Sequence, residues 1–219
     1  MIGRHLMLAG LALLLQAAPL GAAETNDLRE FRIGMTLPEL PAAGYTGFAC
    51  VAPPRQSLTG WQDYRTCPKD AAGWHEIGFR YDPVANPMAR LNDKFGGTRV
   101  AGHPVRLALL LTDEGVVAGL RIATDPTAPL YLHKKAFLLA DQVMARYGAS
   151  GWTCVKGVPS AHEQPVGGVF VKEHCEKTTP SRHLLLDREL YRDPAQDLRE
   201  FVGGTELLIE RPDAAAPPH

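Results

Sequence analysis

The chain has 219 residues, and its 23 lysines and arginines against 24 aspartates and glutamates leave a formal net charge of −1 at pH 7. Both signs are scattered along it, which excludes the dense cationic face that nucleic-acid binding requires. The length suits one large domain, or two small ones sharing a core.

Residues 1–23 read as a signal peptide. Arg4 and His5 supply a small positive start, residues 6–15 an apolar run, and Gly21-Ala22-Ala23 a small-residue cleavage site. The run is shorter than the roughly 20 residues needed to span a bilayer. No cysteine near the cleavage point offers a lipid anchor, and no later stretch reads as transmembrane. The mature chain is therefore expected in the periplasm, with release from the cell as the other destination.

Residues 24–30 form a polar leader, and 28–33 read either as a short strand or as the lead-in to a helix. Thr36 and Glu39 have the spacing of a capping box, with Pro38 just inside the start and Pro41 limiting the helix to a turn or two. After Gly44 the pattern turns to strands at 45–50, 60–67 and 74–81. The last sends Ile77 and Phe79 to one face and Trp74, Glu76 and Arg80 to the other. Residues 82–104 are a long irregular stretch carrying Arg90, Lys94, Phe95, Arg99 and His103; such stretches are functional or disordered. Apolar runs at 105–111 and 116–123, joined by Thr112-Asp113-Glu114-Gly115, read as a β-hairpin.

The principal helix begins near Pro129, a favoured first-turn position. Leu132, Ala136, Leu139, Val143 and Tyr147 form its buried stripe, and Gly148 is its natural stop. Strands follow at 151–156, 166–175, 182–191 and 205–211. The Ala/Pro-rich tail, 212–219, is expected to be disordered.

Several landmarks recur in the same order in both halves. A helix and a glycine lead to aromatic-x-Cys, as Phe48-Ala49-Cys50 and as Trp152-Thr153-Cys154. A second cysteine follows, Cys67 or Cys175, then Asp-Pro at 82–83 and 193–194, then Gly-Gly-Thr at 96–98 and 203–205. An even number of cysteines in an exported chain reads as disulfides, and four allow three connectivities. The repeat selects Cys50–Cys67 and Cys154–Cys175, each closing a loop worth roughly 3 kcal/mol on the chain-entropy account.

Neither half can bury a sheet face alone with so short a helix. The expected fold is α+β: two tandem helix-plus-antiparallel-strand repeats joined edge to edge, a two-layer sandwich with helices on one face of the sheet and the other face solvated. The first repeat covers 31–128, with 82–104 as an insertion, and the second covers 129–211. A Gly-Met-Thr-capped helix, a cysteine pair across the first strands and tandem repetition together resemble the beta-lactamase inhibitor protein family and the related BamE-like envelope modules. That resemblance implies a two-layer fold whose exposed sheet face and loops bind another protein.

Catalytic chemistry finds little support. There is no Gly-x-Ser-x-Gly, the repeat leaves no cysteine free as a nucleophile, and the Gly-Gly pairs do not open phosphate-binding helices. No Cys-x-x-Cys or haem-attachment spacing is present, so no cofactor is expected. His174, His183, Asp187 and Glu189 share an outward strand face and could hold Zn²⁺ or a small ligand. A solvated polar face has the same composition, and that reading is favoured. Trp61, Tyr64, Trp74 and Tyr191 are candidate outward aromatics, the residues that anchor protein interfaces. The function expected is therefore non-enzymatic binding of a protein partner in the cell envelope, with metal or small-ligand binding by the His and carboxylate face as the alternative.

Overall fold

A computed structural model describes residues 26–92, 97–195, 197 and 199–212. The signal peptide, the 213–219 part of the tail, and Lys94, Phe95 and Gly96 lie outside the described residues. One antiparallel sheet dominates. Its strands are β1 (Tyr45–Cys50), β2 (His75–Tyr81), β3 (Arg99–Val100), β4 (His103–Leu111), β5 (Val117–Thr124), β6 (Thr153–Lys156), β7 (Val171–Thr178), β8 (His183–Tyr191) and β9 (Val202–Glu210). The order across the sheet is β1-β2-β4-β5-β9-β8-β7-β6, with the short β3 hung on β4.

Helix is minor. The described α-helices are α1 (Pro87–Asn92), α2 (Leu130–His133) and α3 (Leu139–Arg146), with 3-10 segments at Leu37–Glu39, Trp61–Thr66 and Ala136–Leu138. The expected full helical layer of two tandem α+β units is corrected to a β-rich sheet with short helical cover. The landmark alignment also slips: the two Asp-Pro pairs end β2 and β8, which are second and third from their respective sheet edges.

Three local expectations change for identifiable reasons. Residues 60–67 fold as a 3-10 segment instead of a strand, because Trp61, Tyr64 and Cys67 recur at spacing three and all turn inward. Asp63 secures the start, its carboxylate accepting from the Thr59 N–H at 2.8 Å and the Thr59 hydroxyl at 2.7 Å. The principal helix breaks between α2 and α3. There the Ala136 carbonyl accepts both from the Leu139 N–H of the 3-10 turn and from the Thr205 hydroxyl on β9 at 2.9 Å. The stretch 82–104 is not structureless, since it holds α1 and β3.

Other expectations are met. The β4–β5 hairpin forms, Glu39 accepts from the Thr36 N–H at 2.7 Å, and Gly148 takes φ +87° after α3. The disulfides join Cys50 to Cys67 and Cys154 to Cys175.

The core lies on one face of the sheet. Alternation sends Ile77, Phe79, Leu107, Leu109, Leu120, Ile122, Leu186, Leu207 and Ile209 there, none more than 3% exposed. Over the first half it is closed by Phe31, whose ring lies 4.8 to 5.6 Å from those of Tyr45, Phe79 and Trp61. Over the second half it is closed by Leu139, Ala140 and Val143 of α3.

The leader segment is tied down rather than solvated. Buried Asp27 accepts from Arg182 Nε at 2.7 Å and from the Ile33 N–H at 2.8 Å. Its carbonyl accepts from the Tyr147 hydroxyl at 2.9 Å. One aspartate thus fastens the N-terminal segment to α3 and to the turn before β8. Removing one partner of a buried pair leaves an uncompensated charge, so D27A and R182A should each lose about 3 kcal/mol of unfolding free energy. The double variant should lose less than the sum of the two, as read from urea unfolding. Simple additivity would show that the pair is not coupled.

Candidate functional site

The same alternation that fills the core sends a second set of side chains to the opposite face. On β2 these are Glu76, Gly78 and Arg80; on β4, Arg106, Ala108 and Leu110; on β5, Gly119, Arg121 and Ala123. Of these, Ala108 and Leu110 are buried, whereas Arg80 and Arg106 are exposed; Ala89 of α1 and Thr98 line one end. Gly78, Ala108 and Ala123, with Gly47 and Ala49 of β1, make a low floor. Above it lies a cleft of about 800 Å³ that crosses β1, β2, β4, β5 and β9. A shallower cleft of about 240 Å³ continues it, sharing Arg106, Ala123 and Glu206 and ending at Asp187 and Glu189.

Gly47 is required where it stands. It has φ +65° beside an irregularity in the β1–β2 ladder, and a Cβ there would lie 2.7 Å from Arg80 Nε. The glycine lets the Arg80 side chain lie against the β1 backbone at the rim.

Charge along the cleft is unevenly matched. Arg121 donates from Nε to Glu76 at 2.7 Å and from Nη1 to Glu206. Burial works against its charge, but the two carboxylates outweigh it and hold its pKa above the usual arginine value. Arg55, Arg80 and Arg106 are exposed on the rim, and none forms a hydrogen bond or ion pair with the described residues. Arg80 and Arg106 line the same end of the cleft, each one residue beyond the last paired residues, Phe79 and Leu107.

The His and carboxylate face resolves into separate pairs. His174 Nδ1 meets Asp187 at 2.7 Å and Nε2 meets Glu176 at 3.0 Å. His183 Nδ1 meets Glu210 at 2.9 Å, several residues along the strand. With both ring nitrogens of His174 engaged, no lone pair is presented to a metal. Glu189 stands apart, its pKa raised by burial, with the neighbouring Asp187 adding to the rise and Lys172 opposing it. Among the described residues, one group of ligand-type atoms is close enough for a metal: Cys154, Glu173 and Cys175. Both of its sulfurs are in a disulfide. The histidine hydrogen bonds go to carboxylates or backbone carbonyls, including those of His75 with Cys67 and Asp113 and of His133 with Gly203.

The candidate aromatic anchors are mostly elsewhere. Trp61 is buried, its indole N–H donating to the Pro41 carbonyl at 2.9 Å, and Tyr64 is buried with its hydroxyl on the Asp113 carbonyl at 2.7 Å. Both are core residues, because the 3-10 turn points them under the sheet. Trp74 is half-buried ahead of β2. Tyr191 does face the open side, half-buried, with Lys172 Nζ 5.2 Å from its ring centroid.

The arginine rim was not singled out from sequence, although a signal was present. In β2, β4 and β5 an arginine stands two residues from a glycine or alanine of the same parity: Gly78 and Arg80, Arg106 and Ala108, Arg121 and Ala123.

No protein-family model, curated protein or solved structure matches the chain significantly, so the reading of this site rests on its own geometry.

The two carboxylates flanking His174 raise its pKa above the ordinary 6.5, the Asp187 hydrogen bond being the largest influence and burial opposing. Its contribution to stability is fully present below the unfolded value near 6.5 and is lost as pH rises through the higher folded value. With both partners about half exposed, that contribution is a few tenths of a kcal/mol. Imidazole NMR should place the wild-type midpoint above 6.5, and D187N should lower it. A midpoint unchanged by D187N would break the assignment.

Proposed function

We propose that this chain is a non-enzymatic binding protein of the cell envelope that holds a protein partner on the open face of its sheet. The observation carrying this reading is the cleft itself. It crosses five strands on the face opposite the core, and its floor is built from glycine and alanine in strands whose other face is packed with leucine, isoleucine and phenylalanine.

Supporting features agree. The signal-peptide pattern and the disulfides fit an oxidising compartment outside the cytoplasm, the periplasm first. The strand order reads alike outward from the β5–β9 seam, four strands each way, with a disulfide at the outermost strand of each half. We take this as a duplicated meander, in keeping with the layout of the beta-lactamase inhibitor protein and BamE-like modules. Presentation of an exposed sheet face to a partner follows from that layout.

Ala123 lies where the two clefts meet, opposite Arg106 on one side and Glu206 on the other. A123W would fill the groove without disturbing the core face. Envelope proteins retained by the immobilised wild-type chain should be lost with A123W, while circular dichroism and disulfide mapping stay unchanged. Retention of the same proteins by both would remove the open face from the function.

A further inference from the structure

We infer that the cleft takes an acidic, extended peptide segment, held through its carboxylates by Arg55, Arg80 and Arg106. This rests on the open-face reading above and names the chemistry of the partner.

The first argument is charge. Arg80 and Arg106 each stand one residue past the last residues paired between β2 and β4, where Thr98 comes in beside β4. They line the same cleft with no carboxylate of the described residues bonded to either, and like charges on one face repel. The acids of the same face do not relieve them: Glu76 and Glu206 are engaged by Arg121, and Asp187 by His174. Asp125, which also lines the cleft, accepts from the Thr127 N–H and hydroxyl, and Glu189 lies at the far end of the shallower cleft. Three guanidiniums at the other end have no carboxylate partner among the described residues. A planar guanidinium presents a fork of donors that fits a carboxylate bidentately, so an acidic ligand replaces the repulsion with charge-assisted hydrogen bonds.

The second argument is length. From β1 to β9 the cleft crosses four strand spacings of about 4.8 Å, roughly 19 Å. Six extended residues rise about 20 Å. A single small anion would fill only the arginine end, whereas an extended segment reaches from the arginines along the alanine and glycine floor. Its alternate side chains would point down into the cleft, and those lying over the arginine end are the acidic ones.

The test is fluorescence anisotropy with a labelled hexapeptide of alternating glutamate and alanine, and its glutamine counterpart. The glutamate peptide should bind wild-type protein at least tenfold more tightly than the glutamine peptide. The R80Q/R106Q variant should lose at least tenfold of that affinity, and binding should weaken as salt is raised. These residues are exposed, and the folded state of the variant is checked by circular dichroism. Equal binding of the two peptides, or binding of neither, overturns the inference. So does displacement of the glutamate peptide by inorganic phosphate as effectively as by the unlabelled peptide, which would assign the rim to a small free anion. If A123W abolishes partner capture while R80Q/R106Q leaves it intact, the acidic-segment assignment fails and the open-face reading stands. If A123W has no effect, the open-face reading itself fails.

Discussion

Everything in this structure depends on the ladder between β5 and β9. It pairs Gly119 with Glu210 through Ala123 with Glu206, and so turns two four-strand meanders into one sheet. Beneath it Leu120, Ile122, Leu207 and Ile209 are all 3% exposed or less. Burying side chains of this size is worth about 1.5–3 kcal/mol each, and neither half has enough helix to cover its own apolar face. Joining at the seam also places β5 and β9, which would otherwise be long exposed edges, at the centre. The edges that remain are modest. β1 is shielded by the segment at Gln56 to Leu58, through bonds from the Cys50 N–H to Gln56 and from the Leu58 N–H to Phe48. β6 is a short exposed strand pinned by Cys154.

With the helical cover so short, the N-terminal segment becomes part of the core. Phe31 supplies the aromatic plug for the first half, and Asp27 ties the segment to α3 and to Arg182 in the second. That arrangement commits the available apolar cover to one face of the sheet. The other is left to be polar, and small residues decide its shape. Gly78 illustrates the point: a Cβ there would meet nothing closer than 3.4 Å. The position does not need glycine to avoid a clash, and glycine in a strand interior weakens it by roughly 0.5–1 kcal/mol relative to alanine. Its smallness keeps the cleft floor low.

The open face divides electrostatically. Around β7, β8 and β9, Asp187, Glu210 and Glu206 are engaged by His174, His183 and Arg121. Around β2 and β4, Arg80 and Arg106 stand without acids, and Arg55 joins them from the loop after β1. A surface selected only for solubility would disperse these charges. Concentrating the unmatched ones at the rim of an alanine and glycine groove makes that groove a place for something that carries negative charge.

Much of this was legible in the sequence. Alternation in 74–81 and 182–191 identified those strands and their inward residues, because a period of two is a local property of an extended chain, and the apolar runs 105–111 and 116–123 around a short turn identified the hairpin. The recurrent aromatic-x-Cys identified both disulfides, and Thr36 with Glu39 identified the first cap. Tertiary structure alone decided the rest. Residues 61–66 coil because Trp61 meets the aromatic core around Phe31 and Tyr64 packs on His75 and bonds the Asp113 carbonyl, although their run of residues also suits a strand. The helix after Pro129 gives way to a 3-10 turn at Ala136–Leu138, where the Ala136 carbonyl also accepts from Thr205 of β9. Arg80 and Arg106 become neighbours, and Arg121 finds Glu206, only when β2 lies against β4 and β5 against β9. Sequence spacing carries the direction in which each side chain leaves its strand; which strands stand side by side is set by long-range burial, and the cleft exists only in that arrangement.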